Sequence, residues 1–532
     1  MRARSGRHDA LLLAAAAVAF LVLAVGQGHY WDEYFYVYSA WGHSVGGLVS
    51  LESVVTPDPF PGAFFSAKIV FVALLRLLVR LTGEGFPGLY GLQAAFALAL
   101  VAFCYVMWAL FRELRVGEAV GPTLFLFFSP LTVYLGYKTL SEVPSLLLAG
   151  AGCVLFLRSL RPAPATRRGV VLAGAIAFLT LGILARITSI LFAAGFGLGL
   201  LAWGPPCVDR RRVLVRGTLA GAGILGLLAL TWTLLGIDVV SFGGLAASVT
   251  RRRPSPLVKV FAVGMSVQLF APFVLAGLWK WREPVVRFAL AWLVVTSVPF
   301  LLGARHAEPR YFYGSAPALA LLAHRGLTVV ARRPLRPAIS AAVALGLGIA
   351  GRLALDPFMP YEIDQRAYGT FADRAAGDDG TLVTGWISDY AFLRFALPDR
   401  DVVLAYDGGP AGPGAGLERA LEAWAGPEGY VRRPEELCAH RAPWVYVGWT
   451  FNPAVLALSE RLAWWKLGSA RSAVGRETLK DHLSLGWPWH APGVRLREIA
   501  DRDDYRAYRI LGPEPTARSP APGAGCRFPP RS

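Results

Sequence analysis

Charge is scarce in this chain. Only 17% of its 532 residues are Asp, Glu, Lys or Arg, while 55% are hydrophobic. A soluble protein of this length has no use for repeated apolar runs of about 20 residues, the length that spans a bilayer. The composition points to a polytopic membrane protein. Metal-ligand spacings are missing too: no C-x-x-C or H-E-x-x-H occurs and the eight histidines are scattered, which argues against a zinc site. No internal repeat is visible, whereas transporters usually show paired halves with charged or broken helices near the midplane. The four methionines among long Leu, Ala, Gly and Val stretches carry no functional information.

What charge there is leans basic, at a formal +17. Such a balance could suggest nucleic acid, but the arginines mostly occupy short loops between apolar runs, as topology signals do. Spans are expected near 10–27, 89–111, 117–137, 143–160, 169–185, 188–204, 213–236, 257–279, 284–303, 311–328 and 336–353. With the N-terminus inside, the loops that begin at Arg112, Arg158, Arg210, Lys280 and Arg325 all fall on the cytoplasmic side. The first run, Leu11–Val25 behind Arg2, Arg4 and Arg7, also looks like a signal peptide. No good A-x-A site precedes Gly26, so an uncleaved span is expected.

Residues 62–82 would pass for another span on hydropathy. Lys68, Arg76 and Arg80 lie eight and four residues apart, so they form one cationic stripe on an otherwise apolar helix. A helix of that kind lies in the membrane interface. Counting it as a span would invert every later loop. The sequence thus divides into a membrane domain over 1–355, with a first outer loop at 28–88, and an outer segment from 356.

In that outer segment helix-like and strand-like stretches alternate. Helices are expected at 365–376, 389–396, 416–425 and 454–465, and strands at 381–384, 401–406 and 444–448, with a terminal hairpin from 494–499 and 505–510. The alternation argues a small α/β domain over 356–511. Pro and Gly mark a disordered tail at 512–532. Cys104 and Cys153 lie in apolar spans and Cys207 in a cytoplasmic loop. Cys438 and Cys526 are the two cysteines on the outer side, where disulfides survive; they either pair or stay as free thiols.

The predicted outer loops collect the unusual charges: Asp32 and Glu33, Lys138 and Glu142, Arg251, Arg252 and Arg253, then Arg305, His306, Glu308 and Arg310. Carboxylates are expensive at a membrane boundary and read as functional unless something else explains them. The alternative for Asp32 and Glu33 is a solvated loop start. Arginines outside run against the positive-inside trend; a phosphate suits their fork, and anionic lipid in general is the alternative.

Three stretches carry a family resemblance: Tyr30-Trp31-Asp32-Glu33-Tyr34-Phe35, Lys138-Thr139-Leu140-Ser141-Glu142-Val143-Pro144-Ser145, and His306-Ala307-Glu308-Pro309-Arg310-Tyr311 followed by Pro317. Together with the interfacial helix and the outer C-terminal domain, they resemble the GT-C superfamily of integral membrane glycosyltransferases. The third stretch is similar to the His-Lys-Glu-x-Arg-Phe signature of lipid-phosphate-dependent mannosyltransferases, with Ala307 where that signature has Lys. The architecture also resembles the protein O-mannosyltransferases and the aminoarabinose transferases of lipid A.

The resemblance implies transfer of a sugar, hexosyl or pentosyl, from a polyprenyl-phosphate donor to a glycan, lipid or protein hydroxyl outside the cytoplasm. Cations must stabilise the leaving phosphate, and the candidates are His306, Arg310, Lys68 and Arg251–Arg253. The acceptor hydroxyl needs a base. Asp32 is the expected base, and Glu33 orients the site or binds acceptor. Glu142 does either, or holds a divalent cation, Mg or Mn, with Asp32. Lys138 and Glu308 are accessory candidates, and Arg310 paired with Glu308 as a structural ion pair is the competing reading. A transporter or flippase of lipid-linked substrates, and a non-catalytic scaffold, are the other classes. The absent repeat disfavours the former, and the clustered outer charges the latter.

Overall fold

The computed structural model describes residues 2–25, 29–54, 65–115, 118–162, 164–203, 209–237, 256–303, 309–331, 336–355, 362–385, 387–405, 415–432, 434–449, 494–502 and 505–513. Two compact units emerge: Met1–Gln27, Ala63–Val72 and Gln93–Asp356 form one, and Gly28–Gly62, Ala73–Leu92 and Pro357–Ser532 the other. The sequence suggests one boundary at 355/356, but most of the first loop groups with the C-terminal segment.

The first unit is helical. Among the described residues five helices are long and apolar enough to cross a membrane: Gly85–Glu113, Glu142–Ser159, Ala165–Ala185, Arg210–Leu234 and Pro284–Leu302. Shorter apolar helices cover His8–Ala24, Ser189–Trp203, Val263–Leu278 and Pro337–Leu353. The described residues do not establish the expected count of eleven spans, and two of the expected runs are broken helices whose breaks have local causes. The run at 117–137 splits into Val120–Phe127 and Pro130–Leu135. Ser129 leaves helical geometry, its hydroxyl accepts from the Thr132 N–H, and Pro130 takes the first helical position. The run at 257–279 is interrupted by a 3₁₀ turn at Gln268–Phe270, where Gln268 has φ 46°.

One helical hairpin positions two of the charged residues. Glu142–Ser159 packs antiparallel on Ala165–Ala185. A Cβ added at Gly182 would meet the Ser145 carbonyl oxygen at 2.9 Å and the Ala149 amide nitrogen at 3.0 Å. Glycine therefore lets the two backbones touch, which brings Glu142, one turn before Ser145, level with Arg186, one turn beyond Gly182.

The second unit contains a five-stranded sheet. Strands β1 (His29–Tyr30) and β2 (Glu362–Ile363) pair separately, antiparallel. The sheet is formed by β3 (Thr381–Thr384), β4 (Val402–Leu404), β5 (Trp444–Trp449), β6 (Val494–Arg502) and β7 (Tyr505–Pro513), in the order β4-β3-β5-β7-β6. Strand β3 is parallel to β4 and β5, while β7 is antiparallel to β5 and β6. Every residue of β3 is buried, as expected of a central parallel strand covered on both faces. Helices Gln365–Ala376, Ile387–Ala396 and Ala415–Ala425 accompany the sheet, close to their expected positions. The helix expected at 454–465 and the tail from 514 lie outside the described residues.

Cys438 is disulfide-bonded; Cys526 and Cys207 lie outside the described residues, and Cys104 and Cys153 are buried free thiols.

Candidate active site

In the first unit, Glu142 opens its helix with a carboxylate only 4% exposed, and two arginines meet it. Arg186 Nη1 lies 3.0 Å from Glu142 Oε2, and Arg310 Nε lies 3.9 Å from Oε1. Arg186 stands just past the end of Ala165–Ala185 in extended conformation. Its Nε donates to Thr188 Oγ1 at 2.9 Å and its Nη1 to Ser141 Oγ at 2.9 Å. Arg310 sits in the 3₁₀ turn Pro309–Ser315, its side chain 6% exposed. Ser315 ties that turn to the helix Pro284–Gly303 through hydroxyl contacts of 2.8 Å with Ser297 and 3.0 Å with Thr296. Tyr311 stacks on Phe300 with ring centres 5.7 Å apart. Both guanidiniums approach the Tyr311 ring, Arg310 at 5.4 Å and Arg186 at 5.7 Å.

The cluster concentrates charge in a buried place. Two buried guanidiniums converge on the Glu142 carboxylate. Glu142 Oε1 has no hydrogen-bond partner among the described residues. Glu142, Arg186, Thr188, Arg310, Tyr311 and Tyr313 border a cavity of about 20 Å³, room for a single water. Among the described residues no three His, Cys, Asp or Glu side chains converge as a metal site would require. Glu142, expected from the sequence to orient the site, bind acceptor or hold a divalent cation with Asp32, is engaged here by Arg186 and Arg310. Lys138 is buried in the loop before it, its ammonium 4.5 Å from the centre of the Tyr134 ring.

In the second unit, Asp32 and Glu33 occupy the first turn of the helix Trp31–Gly42, where negative charge is favoured by the helix dipole. Glu33 is 1% exposed; the Asp32 side chain lies outside the described residues. The helix is held along its length. Tyr34 donates to Gln365 Oε1 at 3.3 Å, and the Tyr38 and Tyr390 hydroxyls meet at 3.3 Å. Burial raises the pKa of both Tyr38 and Tyr390, which keeps these phenols neutral. At its far end Arg76 donates to the carbonyls of Ala40, at 3.3 Å, and His43. One member of the expected cationic stripe is thus a helix cap, and its guanidinium is directed at protein.

No protein-family description matches this chain, and no curated protein matches it in sequence. Its structure resembles ArnT from Cupriavidus metallidurans in the apo state, at 14% identity, with a TM-score of 0.53 over 95% of this chain and 98% of that one. ArnT bound to undecaprenyl phosphate matches equally, at 14% identity and TM-score 0.53 over 94% and 97%. An Archaeoglobus fulgidus oligosaccharyltransferase in complex with Zn and sulfate matches at 14% identity and TM-score 0.50, over 93% of this chain and 72% of that one. The chain has the GT-C fold. At such low identity the likeness concerns architecture, and residue roles have to be argued from this chain.

Within that fold, two of the sequence-selected residues come together: Glu142 and Arg310 share one cluster. His306, Glu308, Arg251, Arg252 and Arg253 lie outside the described residues, so the expected pairing of Arg310 with Glu308 does too. Lys68 closes the 3₁₀ turn Ser66–Lys68. Sequence reasoning missed Arg186. Its signal was available: a single arginine in the two-residue outer loop expected at 186–187, against the positive-inside trend.

Proposed function

We propose that the protein transfers a sugar from a polyprenyl-phosphate carrier to an acceptor hydroxyl on the non-cytoplasmic side of the membrane. The observation that supports this reading is the convergence of two buried guanidiniums, Arg186 and Arg310, at Glu142 on the helix start, a concentration of fork-shaped donors that suits a phosphate. The GT-C fold supports it, as does the undecaprenyl phosphate bound to the similarly folded ArnT. In one displacement, the acceptor oxygen bonds to the anomeric carbon, the carbon–phosphate oxygen bond breaks, and polyprenyl phosphate leaves as an anion. Configuration at the anomeric carbon inverts. Arg310 and Arg186 take up the charge that develops on the phosphate. Asp32 accepts the acceptor's proton, with Glu33 beside it orienting the helix start. His306, Lys68 and Arg251–Arg253 remain further candidates for the donor phosphate, and Lys138 and Glu308 for its surroundings.

A divalent cation has no evident holder at Glu142, which is engaged by two guanidiniums, so no step is assigned to one. The orientation that fits this chemistry has the N-terminus cytoplasmic, residues 62–82 at the outer interface and the C-terminal segment outside. The deciding experiment is Asp32→Asn, which keeps the side-chain shape and removes the base. Turnover of a lipid-phosphate sugar by the purified protein should fall by about two to four orders of magnitude, the usual worth of general base catalysis, with donor binding nearly unchanged. Near-normal transfer would remove Asp32 from that role.

A further inference from the structure

The helix Ala415–Ala425 ends at Gly426, whose φ of +85° stops it and leaves its last carbonyls without helical partners. Those carbonyls are taken by side chains from elsewhere in the same unit. The Trp424 carbonyl accepts from His43 Nε2 at 2.7 Å, and the Ala425 carbonyl from the Tyr390 hydroxyl at 2.9 Å. Burial lowers the His43 pKa, and the nearby Arg76 charge adds to this while the Trp424 carbonyl partly opposes it; the neutral ring can still donate one N–H.

The Trp424 side chain engages the helix Trp31–Gly42, which His43 follows, at three points. Its indole Nε1 donates to Ser39 Oγ at 2.9 Å, and its ring stacks on Phe35 with centres 5.2 Å apart. It also meets the Tyr38 ring edge-on at 4.8 Å. Contacts at Phe35, Tyr38, Ser39 and His43 run along one face at helical spacing. One buried indole therefore fixes both the rotation and the rise of Trp31–Gly42. Phe35 lies two residues from Glu33 and three from Asp32, so any rotation of this face swings the acidic pair with it.

We infer that Trp424 is a positioning residue for the acidic pair Asp32 and Glu33, and that the C-terminal segment acts in turnover by holding the helix that presents them. This rests on the reading of Asp32 and Glu33 as the working carboxylates. It predicts a loss in kcat without a matching change in donor KM, because misplacement by about 1 Å acts on the reacting geometry more than on binding.

The test is a double-substitution cycle on the purified full chain, with a polyprenyl-phosphate sugar and kcat and KM measured separately. Trp424→Ala should lower kcat roughly 10- to 100-fold, with donor KM within about twofold. Trp424→Phe keeps the stacked ring and loses only the N–H donor, so it should fold and lose roughly two- to tenfold. Ser39→Ala should match Trp424→Phe, and combining them should cost nothing more. In an Asp32→Asn background Trp424→Phe should have no further effect on kcat, since the group it places is gone. A full multiplicative loss in that background would overturn the positioning role while leaving Asp32 as base. Equal effects on kcat and KM would also overturn it. If Asp32→Asn and Glu33→Gln both retain normal kcat, the acidic pair does no chemistry, and the base reading and this inference fall together.

Discussion

The same trio of residue types occurs at both ends of one helical hairpin, with opposite exposure. At the Ser159 end, Arg158 and Arg161 share Glu113, the arginines being 51% and 55% exposed. At the Glu142 end, Arg186 and Arg310 share Glu142 and are 12% and 6% exposed. The ends are separated by 18 helical residues, or about 27 Å, close to the thickness of a bilayer's hydrocarbon core. In the proposed orientation the exposed trio lies on the cytoplasmic side, where the positive-inside rule expects arginine. Its charges stay hydrated and their pairing contributes little. The buried trio has lost most of its hydration, which costs several kcal/mol per ion and is offset only by good partners. Counting arginines cannot separate the two; burial does.

Removing the shared carboxylate should therefore cost far more at the buried end than at the exposed one. Glu142→Ala leaves two buried guanidiniums facing each other without the carboxylate they share. Unfolding in mixed detergent micelles should show a loss of about 3–5 kcal/mol, as when one partner of a buried pair is deleted. A loss below about 1 kcal/mol would mean that the cluster is well hydrated, and the two ends would then be alike.

Removing one cation at the buried end tests use more than stability. Arg310→Ala should weaken binding of a polyprenyl-phosphate sugar by about 2–3 kcal/mol, the worth of a charge-assisted contact in a partly desolvated site. Arg310→Lys should restore only part of this, since an ammonium keeps the charge and loses the two-pronged geometry. Unchanged donor affinity in Arg310→Ala, combined with lowered stability, would assign the arginine to the scaffold and leave Arg251–Arg253 as the better phosphate site.

The contrast also separates what is legible in the chain from what is not. Helix and strand positions were legible because they are local: the alternation at 381–384, 402–404 and 444–449 and the long apolar runs needed no tertiary knowledge. The break at Ser129-Pro130 had a local signal as well, a cap residue followed by a proline, but hydropathy averaged across it. Glu142 and Arg310 were legible as outer charges, whereas their meeting was not, because 168 residues separate them and only the turn anchored by Ser315 brings Arg310 in. Arg186 escaped notice because one arginine in a short loop looks the same whether it faces water or a carboxylate. Arg76 was legible as one of three cations on a helix face, whereas only the fold shows its guanidinium on the Ala40 and His43 carbonyls.

The smallest effect belongs to the exposed end. Glu113→Ala removes the carboxylate that Arg158 and Arg161 share, yet both arginines can turn back to water or lipid phosphate. Glu113 itself is 12% exposed, so part of its surroundings closes over the gap. Exposed pairs typically contribute about 0.2–1 kcal/mol, and sharing one carboxylate between two mobile arginines does not double this. The expected loss is at most about 1 kcal/mol, with donor affinity unchanged, since nothing at this end is assigned to substrate. The measurement is the same micelle unfolding, run beside Glu142→Ala and repeated at high salt. Salt should erase what is left of the Glu113 effect, because exposed charges are screened within about 10 Å at 0.1 M ionic strength, and leave the Glu142 effect largely in place. A Glu113→Ala loss as large as that of Glu142→Ala, and equally resistant to salt, would show that exposure does not distinguish the two trios, and burial would then be no reason to place the donor phosphate at Arg186 and Arg310.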